Sequence, residues 1–174
     1  ILISIILNPV RVNAGSNKQK ELQVVDKVNV KKYCGLWYEI ARIPNSFQGD
    51  CAGEVTAEYE LREDGKLKVI NKCKEKDGNV SKVEGLAKIV DQQTNAKLKV
   101  SFVSLFGINL FWGDYWIIGL DKGYNWAIVG HPKRKYGWIL SREPELPDST
   151  LENINSILQH KGYNPASFQF TTPR

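Results

Sequence analysis

The 174-residue chain contains no methionine and only two histidines, His131 and His160, and its three cysteines, Cys34, Cys51 and Cys73, form no Cys-X-X-Cys pair. So few imidazoles and thiols leave little from which to assemble a His-activated nucleophile or a metal cluster. His131 reads as part of a hairpin turn and His160 as lying near a helix end, both on the surface. No glycine-rich loop with a lysine is present to cradle a phosphate. No apolar stretch reaches the ~18 residues of a membrane-crossing helix. Accordingly no catalytic residue, no metal and no cofactor is predicted. The formal charge is +5, but the basic residues read as scattered. Their densest group, Lys133-Arg134-Lys135, reads as a solvated tip between Pro132 and Gly137, so nucleic acid is not an expected partner.

What remains is an ordinary globular composition, 42% hydrophobic and 25% charged, in a chain of single-domain size. Without a methionine the sequence is expected to begin after its initiator. Ile1 to Leu7 reads as the tail of a signal-peptide apolar region, with Val12-Asn13-Ala14 suited to cleavage before Gly15. The same run also reads as an apolar strand. The domain expectation is 1–14 as signal remnant, 15–28 as polar leader, 29–170 as the folded domain and 171–174 as tail. Export to a secreted or periplasmic location would make the cysteines a disulfide question with three pairings. If Leu61 lies opposite Leu67 across a hairpin turn, Cys73 falls opposite Val55, a short bend from Cys51. Cys51 with Cys73 is therefore the favoured pair.

Beyond the leader the chain breaks into short β-branched and aromatic segments separated by turn residues. Eight strands are predicted: Trp37–Arg42, Val55–Leu61, Leu67–Lys72, Val80–Val90, Ala96–Leu105, Tyr115–Asp121, Asn125–Gly130 and Gly137–Arg142. Short connections make neighbours antiparallel, and a meander of this length avoids free edges by closing. The fold class is all-β, an eight-stranded antiparallel up-and-down β-barrel with one C-terminal α-helix packed outside. That helix has a capping box from Ser149 to Glu152, an apolar stripe of Leu151, Ile154, Ile157 and Leu158, and a stop at Gly162.

Alternation assigns faces. Trp37 inward carries Glu39 and Ala41 inward; Trp138 inward carries Leu140 and Arg142 inward. The Arg142 guanidinium could then lie over the Trp37 indole and plug one end. Toward the open end, alternation selects Tyr59, Leu61, Val69, Asn71, Val83, Gly85, Ala87, Ile89, Leu98, Val100 and Phe102. The small Gly85 and Ala87 are expected to leave room for a cavity. Val103 to Trp112 reads either as a hydrophobic rim able to touch a membrane surface or as a hairpin folded back into the barrel.

Three ordered motifs resemble the lipocalins: Gly35-Leu36-Trp37 at the head of the first strand, Gly113-Asp114-Tyr115-Trp116, and Trp138-Ile139-Leu140-Ser141-Arg142. The sequence between them is similar to the bacterial lipocalin and apolipoprotein D branch. The resemblance implies a calyx with Gly35, Trp37 and Arg142 as structural floor, and places Tyr59, Asn71 and Trp138 at pocket-lining positions. With alternation it gives the ligand-binding set Glu39, Tyr59, Val69, Asn71, Gly85, Ala87, Val100, Phe102 and Trp138. The implied function is binding, storage or transport of a small hydrophobic or amphiphilic ligand such as a fatty acid or lysophospholipid. The alternative is an enzyme on the same barrel, with Cys34 or Glu39 carrying the chemistry. Cys34 departs from the family's apolar residue, and no cysteine stands where a lipid anchor is acquired; contact peripheral to an outer membrane is a further expectation.

Overall fold

The computed structural model describes residues 21–105 and 108–171. The signal-peptide reading, the leader up to residue 20, Phe106, Gly107 and residues 172–174 fall outside the described residues.

Alternating apolar and polar residues build strands β1 (Gly35–Arg42), β2 (Cys51–Leu61), β3 (Leu67–Glu75), β4 (Val80–Ile89) and β5 (Lys97–Ser101). The remaining strands are β6 (Val103–Leu105), β7 (Ile108–Leu110), β8 (Gly113–Leu120), β9 (Trp126–Gly130), β10 (Gly137–Ser141) and β11 (Gln169–Phe170). The ladder runs β10-β9-β8-β5-β4-β3-β2-β1, and β1 pairs with β10 to close an eight-stranded antiparallel barrel. β11 adds beside the upper end of β1, opposite Ala41 and Arg42. The predicted strand Ala96–Leu105 is broken. Its last residues leave the barrel as β6 and pair with β7 in a separate hairpin.

Cys51 and Cys73 form a disulfide across the upper ends of β2 and β3, with a Cα–Cα distance of 5.6 Å. Cys34 is free.

Two apolar clusters share the barrel wall. The inner one contains Trp37, Tyr59, Val69, Ala87, Leu98, Ile117, Val129 and Leu140. The outer one contains Ile118, Ile128 and Ile139 under Ile154 and Leu158 of helix α2 (Asp148–His160). Burial on both faces explains why Ala127-Ile128-Val129 is continuously apolar rather than alternating. The helix ends as its glycine required. Gly162 takes φ +78, the Tyr163 amide donates to the Leu158 carbonyl and the Gly162 amide to that of Gln159, a Schellman stop. The predicted capping box is not formed. The helix starts two residues earlier than that box implies, at Asp148, with Pro147 as its cap and no side-chain cap bond. Ser149 is thus inside the first turn, beyond the capping position.

A bulge corrects the first strand's parity. Glu39 lies opposite Leu140, but Ala41 rather than Ile40 lies opposite Ile139. One extra residue flips every later side chain, so Ala41 joins the outer cluster while Arg42 comes opposite Trp138. A single-turn helix, α1 (Val30–Tyr33), crosses the lower end of the barrel; it was not anticipated. Asn29 caps it, accepting from the Lys32 amide at 3.2 Å. Leu22 is buried in the outer cluster and Val28 in the inner one, so residues 22–28 pack along the wall and into the floor.

Seven of the basic residues that read as scattered are gathered by the strand period onto the outside of β3, β4 and β5.

Candidate functional site

The closed end is built first. The Arg142 guanidinium carbon lies 3.7 Å from the Trp37 ring centroid, and the group donates to the carbonyls of Leu36 at 2.5 Å, Lys32 at 2.8 Å, Cys34 at 2.9 Å and Tyr33 at 3.2 Å. Trp37 is fully buried, and its indole N–H donates to the Tyr33 carbonyl at 2.8 Å. Gly35 sits at φ +96, where a Cβ would meet an Arg142 nitrogen only at ordinary contact distance, 3.4 Å, so it is the positive φ that calls for glycine beside the plug. Burial pushes the free Cys34 thiol up from its ordinary value, partly opposed by Arg142.

Above the plug, three tyrosines meet across the barrel. The Tyr115 hydroxyl lies 2.8 Å from those of both Tyr33 and Tyr59. Tyr33 and Tyr115 were not among the expected site residues; Tyr115 was visible only as part of a motif, and Tyr33 sits outside any strand. Burial pushes all three hydroxyls up, Tyr59 to about 12 and the other two well above the ordinary value. A raised folded-state pKa means the native trio keeps its protons while unfolded tyrosines lose theirs near pH 10. Stability is therefore complete below about pH 10 and falls as pH rises toward the native values. In a titration at 295 nm, the trio's tyrosinate signal is expected only together with loss of near-UV dichroism; ionisation in the intact fold would contradict this burial.

The inner face can be followed row by row. Trp37, Ala57, Asn71 and Val83 are successive partners across β1 to β4, as are Gly35, Tyr59, Val69 and Gly85. Strands tilt in a barrel, so each row climbs. Trp37 is 0% exposed and Val83 44%; Tyr59 and Val69 are below 5%, and Phe102, beside Gly85, is 37%. The lower half is packed and the upper half is open to solvent. Asn71 lies on this wall with its Oδ1 buried and unpartnered among the described residues. Ala87 is fully buried and Val100 packs against the same cluster.

Two expectations need correction. Tyr59, Leu61, Ala87, Ile89 and Leu98 are not toward the open end: β2 and β4 descend to the floor and β5 starts from it. Alternation gives the face of a residue, not its height. Nor does Gly85 leave empty space. A Cβ there would lie 2.5 Å from the Phe102 ring and 2.7 Å from the Ser101 carbonyl, so the glycine admits the aromatic ring of the neighbouring strand.

At the mouth, the short 3₁₀ segment Ser46–Gln48 straps over Trp138. The Gln48 amide accepts from the Trp138 indole at 3.1 Å and from Asn45 at 2.9 Å, and donates to Glu39 at 2.9 Å. Glu39 is 7% exposed and also receives Arg42 at 2.6 Å and the Thr171 hydroxyl at 2.7 Å. Phe47 packs against Tyr136 and Trp138, with ring centroids 5.4 and 6.3 Å apart. Gln48 and Phe47 had no sequence signal, since they sit in a connection. His160 is exposed, but His131 is only partly so. Its ring packs edge-on to Tyr136, and burial pulls its pKa down.

Residues 28–173 match the lipocalin-like domain family. The chain is 41% identical over 146 residues to the outer membrane lipoprotein Blc of Escherichia coli strain K12, covering 83% of this chain and 79% of that one. It is 36% identical over 150 residues to temperature-induced lipocalin-1 of Arabidopsis thaliana, covering 84% and 80%. With apolipoprotein D of Rattus norvegicus the identity is 39% over 143 residues, covering 78% and 71%. Among solved structures, insecticyanin from the tobacco hornworm Manduca sexta superposes with a TM-score of 0.71 at 22% identity, over 88% of this chain and 85% of that chain. A barrel plugged by Trp37 and Arg142, closed by β1 on β10 and flanked by one C-terminal helix thus belongs to a lipocalin.

Proposed function

We propose that the barrel carries a small hydrophobic or amphiphilic molecule, a fatty acid or lysophospholipid-like ligand, in its upper half. The rise in accessibility along single inner rows, from Trp37 at 0% to Val83 at 44%, carries this reading. It describes a chamber with an apolar base and an open top. Phe102, Val100 and Trp138 offer apolar contact, while Asn71 and the Glu39–Gln48 network offer polar partners for a headgroup. Burial of the chain, at about 0.8 kcal/mol per methylene, supplies the affinity. A secreted or periplasmic location accords with the Cys51–Cys73 disulfide.

Carriage is favoured over catalysis by the state of the two groups that catalysis would need. Both oxygens of Glu39 are engaged by Arg42, Gln48 and Thr171, and burial pushes the Cys34 thiol up, away from the nucleophilic thiolate. Displacement of a fluorescent fatty acid, with recovery of the unlabelled lipid by mass spectrometry, tests the reading. Saturable binding near one ligand per chain with intact lipid recovered is expected. No saturable binding, or recovery of an altered product, would overturn it.

A further inference from the structure

The lysines on the outer wall have a distribution that neither folding nor ligand carriage explains. Lys68, Lys72 and Lys74 of β3, Lys82 and Lys88 of β4, and Lys97 and Lys99 of β5 share the outward face; their cross-strand partners there include Leu86, Val80 and the outer-cluster residue Trp116. The only acid on the same face of these three strands is Glu84. Seven lysines against one glutamate is an excess of six positive charges. The whole chain carries +5, so everything outside this wall sums to −1.

Moreover, Lys72 lies directly opposite Lys82, and Lys88 directly opposite Lys99. Like charges facing across a ladder are destabilising. Glu84 reaches Lys82 at 2.7 Å and Lys68 at 3.1 Å, and from the flanking segments Asp114 reaches Lys99 at 3.0 Å, Glu54 reaches Lys74 at 3.4 Å and Glu21 reaches Lys97 at 3.8 Å. With those three flanking carboxylates counted, an excess of three positive charges remains.

An uncharged, exposed hairpin rises from the same wall. Residues 102–112 contain no ionisable side chain; Val103 is 47%, Ile108 64% and Phe111 82% exposed. Phe111 sits at φ +55, a conformation costly for a bulky residue, with its ring turned to solvent. The hairpin is fastened to the lysines: the Lys88 ammonium lies 4.1 Å from the Trp112 ring centroid, and the Ser101 hydroxyl bonds the Leu110 carbonyl. Of the two readings of this segment, the described residues place it outside the barrel.

We propose that the β3–β5 wall and the β6–β7 hairpin together form a docking surface for an anionic lipid bilayer, the lysines meeting headgroups and Ile108 and Phe111 entering the interface. A bilayer is the occupant that satisfies both halves. A nucleic acid or acidic protein matches the lysines but gives the aliphatic and aromatic tip nothing to enter. Charge near an anionic surface and apolar insertion act additively.

The test is co-sedimentation of the full chain with phosphatidylcholine vesicles, with and without phosphatidylglycerol, at low and high salt. Binding is expected only with phosphatidylglycerol, weakening as salt screens it. The triple variant K72Q/K82Q/K88Q is expected to bind about 100-fold more weakly, about 5-fold per charge. Phe111→Ser, at an exposed position that does not endanger folding, is expected to weaken binding several-fold while keeping its salt dependence. Equal binding to both vesicle types, unchanged binding in the triple variant, or tighter binding to a short oligonucleotide than to vesicles would each overturn the proposal. None of these residues lines the chamber, so fatty-acid displacement measured on the same variants separates failure of docking from failure of carriage.

Discussion

Replacing Arg142 by leucine is expected to destabilise the protein by about 4 kcal/mol, lowering its thermal midpoint by about 10 °C. The guanidinium does two jobs that no aliphatic side chain can share. It lies flat on the Trp37 indole at 3.7 Å, and it donates to the carbonyls of Lys32, Tyr33, Cys34 and Leu36. Those carbonyls belong to the end of α1 and the turn into β1. Helix α1 has four residues, too few to be stable alone, so its position depends on what holds its C-terminal end. Leucine would keep part of the stem's packing yet leave several acceptors without donors. Lysine restores the charge but not the planar fork, and is expected to recover less than half of the loss. Urea and thermal unfolding of the three proteins provide the measurement. A loss no larger than that of a surface ion pair, about 1 kcal/mol or less, would show that the floor is held by something else.

That plug was legible because it depends only on parity within two strands, and parity is the most direct consequence of strand geometry. Trp37, Leu140 and Arg142 point where alternation sends them. Legibility ended where an irregularity or a third dimension intervened. The extra residue at Ile40 sent Ala41 outward, and nothing in Glu39-Ile40-Ala41 announces a bulge. Gly85 was recognisable as a small residue on the inner face, but whether its missing side chain makes a void depends on Phe102, one strand away. The tyrosine trio joins α1, β2 and β8, three segments whose convergence only closure of the barrel produces. The lysine wall is a different case. Its residues follow the strand period, at 68, 72 and 74, at 82 and 88, and at 97 and 99; reading charge by face rather than along the chain would have found it.

The chamber itself can be filled without touching its floor. Ala57 lies on the inner face between Trp37 and Asn71, is only partly buried against the inner cluster, and has the smallest side chain in its row. Ala57→Trp would project an indole into the space above Trp37, where the row opens to solvent. A ligand chain then loses room for about five methylenes, at about 0.8 kcal/mol each. Affinity for a long-chain fatty acid is expected to fall about a thousandfold, while a short-chain analogue that never reached this depth loses much less. The matched control is Glu58→Trp, one residue along β2 and exposed on the outer face. It adds the same side chain to the same strand and is expected to leave binding unchanged. Folding is checked by near-UV dichroism and by the Cys51–Cys73 bond remaining closed to thiol reagents. If the Ala57 variant bound long chains as well as the parent, the ligand would have to lie elsewhere than between the tryptophan floor and the mouth.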